Sequence, residues 1–474
     1  MSHPSIDELL AKIPGSLTSL EAQSRFSHIW KTDEPLQCKG VCFPKTTQDV
    51  STIMKWCHKN QQKVVVHGGL TNLVGGTQTK ANQLVLSLEK MNRIEPVDPQ
   101  NRTVTAEAGA ILENVLESAE NQNLFLPLSF GARGSAQVGG IISTNAGGLR
   151  VFRYGMTRSW VLGLEVVLPD GTIIENLKTL RKDNSGIDLK QLFIGAEGIL
   201  GIVTKAVFRL IEKPQTRHSA IFTTNDYSKL LQTLRYFDQT LGARLTGFEL
   251  LWKNTFLTMT AEDTPYQSPL QSVENYVVFV EVLGKDSGRD VQDLQDACAY
   301  GFDQKWIADA SFFDTAAAQE ECWKIREDVA ALEAHAPHNQ HFDISIPIDQ
   351  IGTIVNQIIQ QLQSLNGVLG VYPFGHVADG NMHLIVGKRN DGHELSKQIN
   401  EIVYQPLAAV KGSISAEHGI GLDKKPYLHL SRTQDEIHIM KGLKQLFDPK
   451  NILNPGRIVD HITNKNDIQL TNNR

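Results

Sequence analysis

The chain has 474 residues, more than one hydrophobic core usually holds, so its length predicts two or three domains. Its formal net charge of −6 offers no basic stripe for nucleic acid, and its N-terminal stretch lacks the patterns of signal and transit peptides. Five scattered cysteines, and no apolar run near the roughly 20 residues that span a bilayer, predict a cytoplasmic protein without a transmembrane segment.

The first half of the chain alternates strand and helix patterns around glycine-rich stretches. Residues 1–36 predict a helical lead-in, after which Thr46 can cap a helix with apolar positions at Val50, Ile53, Met54 and Cys57. A strand pattern at residues 63–66 leads into the first glycine-rich loop, HGGLTNLVGG. Further on, VLGLEVVLPDGTIIE predicts a hairpin that turns at Asp170 and Gly171.

The composition changes near Pro214, where the glycine clusters stop. The residues beyond it alternate strands and helices in the manner of an α+β domain. Near the end, a capping box from Thr433 to Glu436 opens a helix whose inward face we expect to hold Ile437, Met440, Leu443 and Phe447. We therefore divide the chain after residues 36, 215 and 408.

Glycine repeated at strand ends has a strong physical use, because without a Cβ successive backbone N–H groups can converge on an anion. The pattern occurs twice within the first half of the chain, at Gly68, Gly69, Gly75 and Gly76 and then at Gly131, Gly134, Gly139, Gly140, Gly147 and Gly148. Neither stretch is a Rossmann fingerprint or a P-loop. One large cofactor that contains a pyrophosphate explains both clusters better than a set of ordinary turns.

Three stretches resemble the FAD-binding domain of the vanillyl-alcohol-oxidase type of flavoproteins: GGLTNLVGG, GSAQVGGIISTNAGGLRVFRYG and LRKDNSGIDLKQLFIGAEGILGIVTKAVFRL. The resemblance implies an α+β fold with a two-subdomain PCMH-type FAD-binding domain at 37–215. It also implies an antiparallel-sheet substrate (cap) domain at 216–408 and a helical C-terminal segment at 409–474 that returns to the FAD domain.

The same resemblance implies which residues bind FAD. They are Gly68, Gly69, Leu70, Thr71, Asn72, Gly75, Gly76, Gly131, Gly134, Ser135, Gly139, Thr144, Asn145, Gly148, Tyr154, Gly155, Glu197, Gly198, Ile202 and Asn454. Some relatives attach the flavin through a histidine just after the glycine pair of the first loop. Leu70 stands there in this chain, and His67 precedes the pair, so the resemblance implies non-covalent FAD.

A second feature is the stretch FGHVADGNMHL, which places His376 and His383 on either side of an Asp-Gly turn. Zinc favours imidazole together with a carboxylate, and Glu417 in SAEHG is a candidate third ligand. Adjacent residues of a regular strand point to opposite faces, so its neighbour His418 would need a turn or bulge to reach the same site. The residues alone leave two interpretations open, a metal site and a hairpin with two surface histidines.

The stretches GHVADGNMH and SAEHGIG are similar, in order and spacing, to the metal motifs of the D-2-hydroxyacid dehydrogenase group, most closely its D-2-hydroxyglutarate dehydrogenases. The resemblance implies a metal, usually zinc, on His376, His383 and Glu417, with His418 as the catalytic base. It also implies that Arg326 binds the substrate carboxylate. The substrate would pass its α-hydrogen as hydride to flavin N5, and a separate acceptor, an electron-transfer flavoprotein, quinone or cytochrome, would take the electrons.

Three substrate positions depart from the D-2-hydroxyglutarate pattern. Ala330 replaces a hydroxyl residue, His341 replaces a lysine and Ile385 replaces an asparagine. A second carboxylate in the site needs hydrogen-bond donors, because an unpaired buried charge is costly. With Arg326 and His418 retained, we expect a D-2-hydroxy acid substrate, but no strong preference for D-2-hydroxyglutarate over less polar monocarboxylic acids.

Other functions remain open at this point. Within the same class, the chain could be a D-lactate dehydrogenase or a 2-hydroxyacid oxidase that uses O₂. A metallohydrolase could use His376, His383 and Glu417 to activate water, but it would leave the glycine clusters unexplained. A flavin-binding module without turnover conflicts with the presence of His418 and all three candidate ligands. A homodimer is one assembly we consider.

Overall fold

The computed structural model describes residues 6–30, 32–313 and 315–462. The ends of the lead-in, residues 1–5, and of the C-terminal segment, residues 463–474, lie outside the described residues. The chain forms two compact units. Unit 1 comprises Met1–Gly147, Met156–Lys213 and Glu417–Arg474, and unit 2 comprises Gly148–Gly155 and Pro214–Ala416.

Unit 2 differs from our division in two larger respects. It extends to Ala416, past our boundary after residue 408, and it includes residues 148–155, which we placed in the stretch 37–215. The side chains explain the second difference. Arg150 donates two hydrogen bonds to the buried carboxylate of Glu281, at 2.8 and 2.9 Å, and Arg153 donates to Asp238 at 2.6 Å. The assignment of an FAD-binding and a substrate domain remains a prediction.

Unit 1 contains two four-stranded sheets and a two-stranded pair. The strands are β1 (Leu17–Thr18), β2 (Gly40–Cys42), β3 (Val64–His67), β4 (Leu84–Ser87), β5 (Thr103–Glu107), β6 (Leu124–Phe125), β7 (Val161–Val167), β8 (Ile173–Asn176), β9 (Ile202–Arg209) and β10 (Ile211–Glu212). The first sheet has the order β1-β2-β4-β3, with β2, β4 and β3 parallel. The second has the order β5-β9-β7-β8 and is antiparallel, and β6 pairs with β10.

The α-helices of unit 1 begin in two cases at a side-chain capping box. They are α1 (Ile6–Lys12), α2 (Thr47–Asn60), α3 (Leu112–Glu120), α4 (Val138–Thr144), α6 (Lys190–Phe193) and α14 (Gln434–Phe447). Thr46 caps α2 through a capping box with Asp49, and Thr433 caps α14 through one with Glu436. The apolar face predicted for α2 is buried, with Val50, Ile53, Met54 and Cys57 all at 0% exposure. The hairpin predicted at Asp170 and Gly171 is also present, between β7 and β8.

The face of α14 that was predicted to point inward is only half-buried. Ile437, Met440, Leu443 and Phe447 are only partly buried, and Lys444 is the buried residue of this helix at 2% exposure. The Lys444 ammonium donates to the carbonyls of Ile199 and Leu453 and to the Asp448 carboxylate, at 2.6–3.0 Å. The helix therefore turns a cation inward because backbone carbonyls there need a donor.

Unit 2 is built on one seven-stranded antiparallel sheet. Its strands are β11 (Thr216–Thr224), β12 (Leu245–Trp252), β13 (Tyr276–Gly284), β14 (Asp309–Phe313), β15 (His338–Ser345), β16 (Val368–His376) and β17 (Asn381–Lys388). The order is β14-β11-β13-β12-β16-β17-β15. Its first four strands follow a β-α-β-β-α-β arrangement, and β16 and β17 form a hairpin beside them.

Helices cover both faces of this sheet. They are α5 (Val151–Tyr154), α7 (Tyr227–Leu241), α8 (Lys253–Met259), α9 (Ser287–Asp303), α10 (Ala316–Glu327), α11 (Ala330–His335), α12 (Ile351–Gln363) and α13 (His393–Ala409). On one face, Phe222 and Phe248 pack against Phe237 of α7 with tilted and edge-to-face rings. On the other, Phe279 packs with Trp323 of α10. Alternate strand residues point to opposite faces, so each strand contributes side chains to the apolar cores on both sides of the sheet.

The second of these faces also carries a buried ionic network around Glu281, whose side chain is 0% exposed. Burial raises the pKa of Glu281, but the charges of Arg150 and Arg217 and the hydrogen bond from Thr246 outweigh burial and lower it to about 2. An unpaired carboxylate at this depth would be costly, so the network fixes residues 148–155 against β13.

We expect Glu281→Gln to lower the free energy of unfolding by about 3–5 kcal/mol, because it removes the buried counter-charge of Arg150 and Arg217. Since the folded pKa lies below the unfolded one, the stabilisation is complete above about pH 5 and is lost as the pH falls toward 2. Urea denaturation of the wild type and of Glu281→Gln at several pH values should show that the difference in their free energies of unfolding becomes smaller in acid. As a control, Glu320→Gln removes an exposed pair with Lys324 and should cost under about 0.5 kcal/mol at every pH. If the difference in unfolding free energy between the wild type and Glu281→Gln did not depend on pH, the pairing of Glu281 with the arginines would be contradicted.

Candidate active site

The first two glycine-rich stretches lie against each other in unit 1. A Cβ on Gly69 would stand 2.1 Å from the Ser135 carbonyl oxygen, closer than a side chain can come. A Cβ on Gly68 would approach Gln137 and Gly140 at 3.7–3.8 Å. The backbone of the first loop thus meets the segment that leads into α4. The structure brings these two groups of predicted FAD residues together.

The first loop is held in a strained and closed conformation. Leu70 adopts a left-handed backbone with φ of +58°, which costs a non-glycine residue about 1–2 kcal/mol. The His67 Nε2 atom lies 2.9 Å from the Thr77 carbonyl oxygen and donates to it, which ties together the two ends of the loop. Burial lowers the pKa of His67 to about 4, so its imidazole is neutral at physiological pH.

The third motif joins the end of α4 through backbone hydrogen bonds. Glu197 N–H donates to the Ser143 carbonyl at 2.7 Å, and Gly195 N–H donates to that of Ile142 at 3.0 Å. Asn145 ends the helix in a left-handed conformation with φ of +52°. Predicted FAD residues of the second and third motifs, including Thr144, Asn145, Glu197 and Gly198, therefore share one hydrogen-bonded corner of unit 1.

The C-terminal segment returns to this corner. The Asn454 amide is buried, donates to the Glu197 carbonyl at 2.9 Å and accepts from Val66 N–H at 2.9 Å. The Glu197 carboxylate accepts from the N–H groups of Ile420 and Gly421 at 2.6 and 2.8 Å. Burial raises the pKa of Glu197. Asn454 thus holds in place the two backbone segments on which the predicted cofactor residues sit.

The first glycine-rich loop also holds the segment that contains the predicted base. Asn72 accepts from the N–H groups of Val74 and Gly76 with its side-chain oxygen, and its nitrogen donates to the His418 carbonyl at 3.0 Å. Glu417 and His418 lie in a bend and are half-buried. The bend that His418 required is therefore present, and one asparagine ties it to the loop.

Three predicted cofactor residues lie elsewhere. Gly148, Tyr154 and Gly155 belong to unit 2, in the segment that Arg150 ties to Glu281. Burial raises the pKa of Tyr154. Their assignment to FAD stays a prediction.

In unit 2, the histidine hairpin is formed by β16 and β17 and turns at Asp379 and Gly380, with Gly380 at φ of +88°. His376 pairs in register with Asn381, and Phe374 with His383, so the two histidines are diagonal neighbours. Their ring centroids are 5.4 Å apart. Burial raises the pKa of Asp379 to about 6, and the nearby carboxylates add to this rise. The structure thus brings the two predicted imidazole ligands together on one sheet.

Glu249 on β12 joins the hairpin to the predicted substrate arginine. Its carboxylate is 1% exposed and accepts from His376 Nδ1 at 2.6 Å. The other oxygen accepts from the Arg326 guanidinium, from Nε at 3.0 Å and from a terminal nitrogen at 2.8 Å. Arg326 also lies 4.8 Å over the Phe374 ring. Because an ionised carboxylate only accepts, the Nδ1 atom of His376 carries a proton, and in the neutral ring the lone pair then lies on Nε2.

Asp343 on β15 is a second buried carboxylate, paired in register with His383. Its oxygens accept from the Asn381 amide at 2.9 Å, from the Ser415 hydroxyl at 3.2 Å and from Ala416 N–H at 3.1 Å. Asp343 therefore fixes both the arm that carries His383 and the chain up to Ala416, the residue before Glu417.

The predicted substrate positions His341 and Ile385 are direct neighbours, because they pair in register between β15 and β17. Ile385 is buried among apolar side chains, and Ala330 is exposed at the start of α11. His341 is half-buried, and its Nε2 atom lies 3.2 Å from the Glu333 carboxylate.

Sequence reasoning missed Glu249, Asp343 and Glu333. The first of these gave a usable signal, since a single acid inside the apolar strand LTGFELLW is rarely left unpaired. The sequence GFELLW could not show which cations would meet it. Glu333 gave none, because a single acid on a helix of only six residues, AALEAH, is usually solvated.

Comparison with known proteins places this chain in a family. Residues 213–458 match the family described as FAD linked oxidases, C-terminal domain, and residues 38–176 match an FAD binding domain family. Two curated relatives are D-2-hydroxyglutarate dehydrogenase, mitochondrial, of Danio rerio and D-2-hydroxyglutarate–pyruvate transhydrogenase of Saccharomyces cerevisiae. They are 36% and 34% identical to this chain. The alignments cover 87% of this chain and 76% of the first relative, and 96% and 92% for the second.

The crystal structure of p-cresol methylhydroxylase with substrate bound has a TM-score of 0.71, with 96% of each chain covered and 14% identity. This likeness confirms the prediction of a PCMH-type α+β fold. Within the described part of the chain, no helix has both the length and the apolar character needed to cross a bilayer. Several relatives bear mitochondrial names, and the cytoplasmic location of this chain is not confirmed.

We expect Asn454→Ala to lower the free energy of unfolding by about 2–4 kcal/mol and to reduce the FAD retained on purification. It removes two buried hydrogen bonds and places alanine at φ of +43°. Asn454→Gly should destabilise the protein by about 1 kcal/mol less than Asn454→Ala, because glycine tolerates that φ. Asn123→Ala, an exposed residue at φ of +56°, isolates the backbone cost and should keep its FAD. Equal FAD retention in all four proteins would show that Asn454 does not support the cofactor loops.

Proposed function

Since this chain belongs to the FAD-linked oxidases and is an FAD-linked D-2-hydroxyacid dehydrogenase, we propose that it oxidises a D-2-hydroxy acid to the 2-keto acid at a divalent metal, zinc or another such ion, held by His376, His383 and Glu417. We propose His418 as the base, Arg326 as the carboxylate-binding residue and a separate carrier as the electron acceptor. The family assignment leaves the metallohydrolase and the non-catalytic flavin module without support.

The glycine-rich corner of unit 1 fits FAD. The Oε1 atom of Gln137 is buried next to Gly68 and has no hydrogen-bond partner among the described residues. A Cβ on Gly131 or Gly140 would meet nothing within 4 Å, so the backbone there can be approached closely. When bound, FAD supplies a hydride acceptor at N5.

The His67 hydrogen bond supports a non-covalent cofactor. His67 Nε2 donates to the Thr77 carbonyl, and the ring is buried and neutral. A histidine that holds a loop closed in this way is engaged on that nitrogen, and Leu70 occupies the position after the glycine pair. We therefore propose that unit 1 binds FAD without a covalent link.

The hydrogen bond between Glu249 and His376 is the observation that carries the metal proposal. Metal-binding histidines almost always donate their second ring nitrogen to a carboxylate or carbonyl, which fixes the tautomer and raises the basicity of the ligating nitrogen. His376 has this arrangement, at 2.6 Å and with a fully buried carboxylate. A surface histidine without a ligand would have no need of a buried acid.

The path of the chain supports Glu417 as the third ligand. Ala416 N–H is bound to Asp343, which pairs in register with His383. Consecutive Cα atoms are only about 3.8 Å apart, so the chain leads directly from the strand partner of His383 to Glu417. Two imidazoles and one carboxylate form a donor set typical of a catalytic zinc site with an open position.

The chain's own groups account for the handling of the substrate. A bound divalent metal supplies a positive charge that lowers the pKa of the substrate hydroxyl. The His418 imidazole takes the hydroxyl proton, and Asn72 fixes the backbone of that histidine. Arg326 uses Nε and one terminal nitrogen on Glu249, which leaves further N–H groups of its five for a substrate carboxylate.

The expected state of the flavin gives the first test. Heat or acid precipitation of the purified yellow protein should release FAD into the supernatant, because no covalent bond holds it. The flavin absorbance of supernatant and pellet measures this directly. Flavin that stays with the precipitated chain would overturn the non-covalent assignment.

The metal site gives a second test, read by anaerobic flavin bleaching with a panel of D-2-hydroxy acids and by elemental analysis. We expect His383→Ala to lose the metal and its substrate-dependent bleaching while retaining FAD. His418→Gln should keep the metal and slow bleaching by about 10²- to 10⁴-fold. His393→Ala, an exposed histidine at the start of α13, should match the wild type in both measurements. A metal-free His383→Ala protein with full activity would refute the site.

A further inference from the structure

The sheet of unit 2 places a second polar pair one step along the strands from the histidine hairpin. His383 and Ile385 lie on the same face of β17, two residues and so about 7 Å apart. Ile385 pairs in register with His341 on one side and with Tyr372 on the other. A short substrate side chain that extends from the hairpin along this face would therefore reach His341.

His341 pairs with the carboxylate of Glu333 in this structure. Its Nε2 atom lies 3.2 Å from a carboxylate oxygen of Glu333, and the two side chains are 27% and 36% exposed. Glu333 is held in place by its neighbour in α11, because Leu332 is fully buried in the apolar cluster that also contains Ile385 and Phe374. The carboxylate is thus carried to the rim of this face by an anchored helix and lies beside His341.

The positively charged groups of this region are already paired with acids, so they offer little attraction to a second carboxylate on the substrate. Arg326 is paired with Glu249, His341 with Glu333, and His335 with Asp263 at 3.5 Å. Whatever positive charge His341 carries is balanced by Glu333, and Ile385 offers no donor. A distal carboxylate on the substrate would meet a like charge near His341, and like charges at such distances repel each other.

From this arrangement we infer that Glu333 is a specificity-determining residue, which selects D-2-hydroxy acids with an uncharged distal end and disfavours those with a second carboxylate. The inference rests on the proposed function, since it concerns the substrate of the same site. It goes beyond the loss of donors at Ala330, His341 and Ile385, because it assigns a repulsive group.

The test compares D-2-hydroxyglutarate with D-2-hydroxybutyrate in the wild-type holoenzyme and in Glu333→Gln, which keeps the size of the side chain and removes its charge. We expect kcat/KM for the diacid to rise about tenfold, chiefly through a lower KM, and that for the monoacid to change less than about twofold. Glu320→Gln, an exposed acid on α10, is the matched control and should leave the ratio of the two substrates unchanged.

A binding measurement keeps the inference separate from the proposed function. If no D-2-hydroxy acid bleaches the flavin of the wild type, the proposed function fails. Calorimetry of 2-oxoglutarate and 2-oxobutyrate then still decides the role of Glu333, because charge repulsion acts on binding as well as on turnover. Tightening of 2-oxoglutarate alone in Glu333→Gln supports the inference. Equal changes for both acids, no change, or a wild type that already prefers the diacid would overturn it.

Discussion

The buried carboxylate of Glu249 is the constraint around which unit 2 is arranged. An ion that is 1% exposed is tolerated only with excellent partners, and Glu249 takes one from β16 and one from α10. The same contact therefore sets the tautomer of His376 and the position of Arg326. An apolar residue here would give an ordinary core, but it would remove the carboxylate that orients both the imidazole and the guanidinium.

Local patterns in the sequence predicted a large share of the fold. The capping boxes at Thr46 and Thr433, the hairpin at Asp170 and the turn between the two histidines each depend on residues a few positions apart. The glycine clusters also carried information, since the close approach of Gly69 to Ser135 leaves no room for a side chain. The capping boxes and turns can be predicted because their interacting groups are neighbours in sequence.

The parts that could not be predicted depend on distant partners. Glu249 meets His376 across 127 residues, and the choice of Lys444 over an apolar neighbour follows from carbonyls at Ile199 and Leu453. The pairing of Glu333 with His341 joins a short helix to a strand, and periodicity does not specify such a pair. In each case a charged side chain was positioned by a partner distant in sequence or on another element, which the pattern of apolar residues does not encode.

The contact between Asn454 and Val66 has a consequence for the biosynthesis of the chain. It links residues 388 positions apart, and both belong to unit 1, whose last part begins only at Glu417. Unit 1 thus starts first on the ribosome and is completed last, after all of unit 2 has been translated. Its first parallel strands therefore keep unpaired edges while several hundred residues are made, and chains with such edges are prone to aggregation unless chaperones bind them.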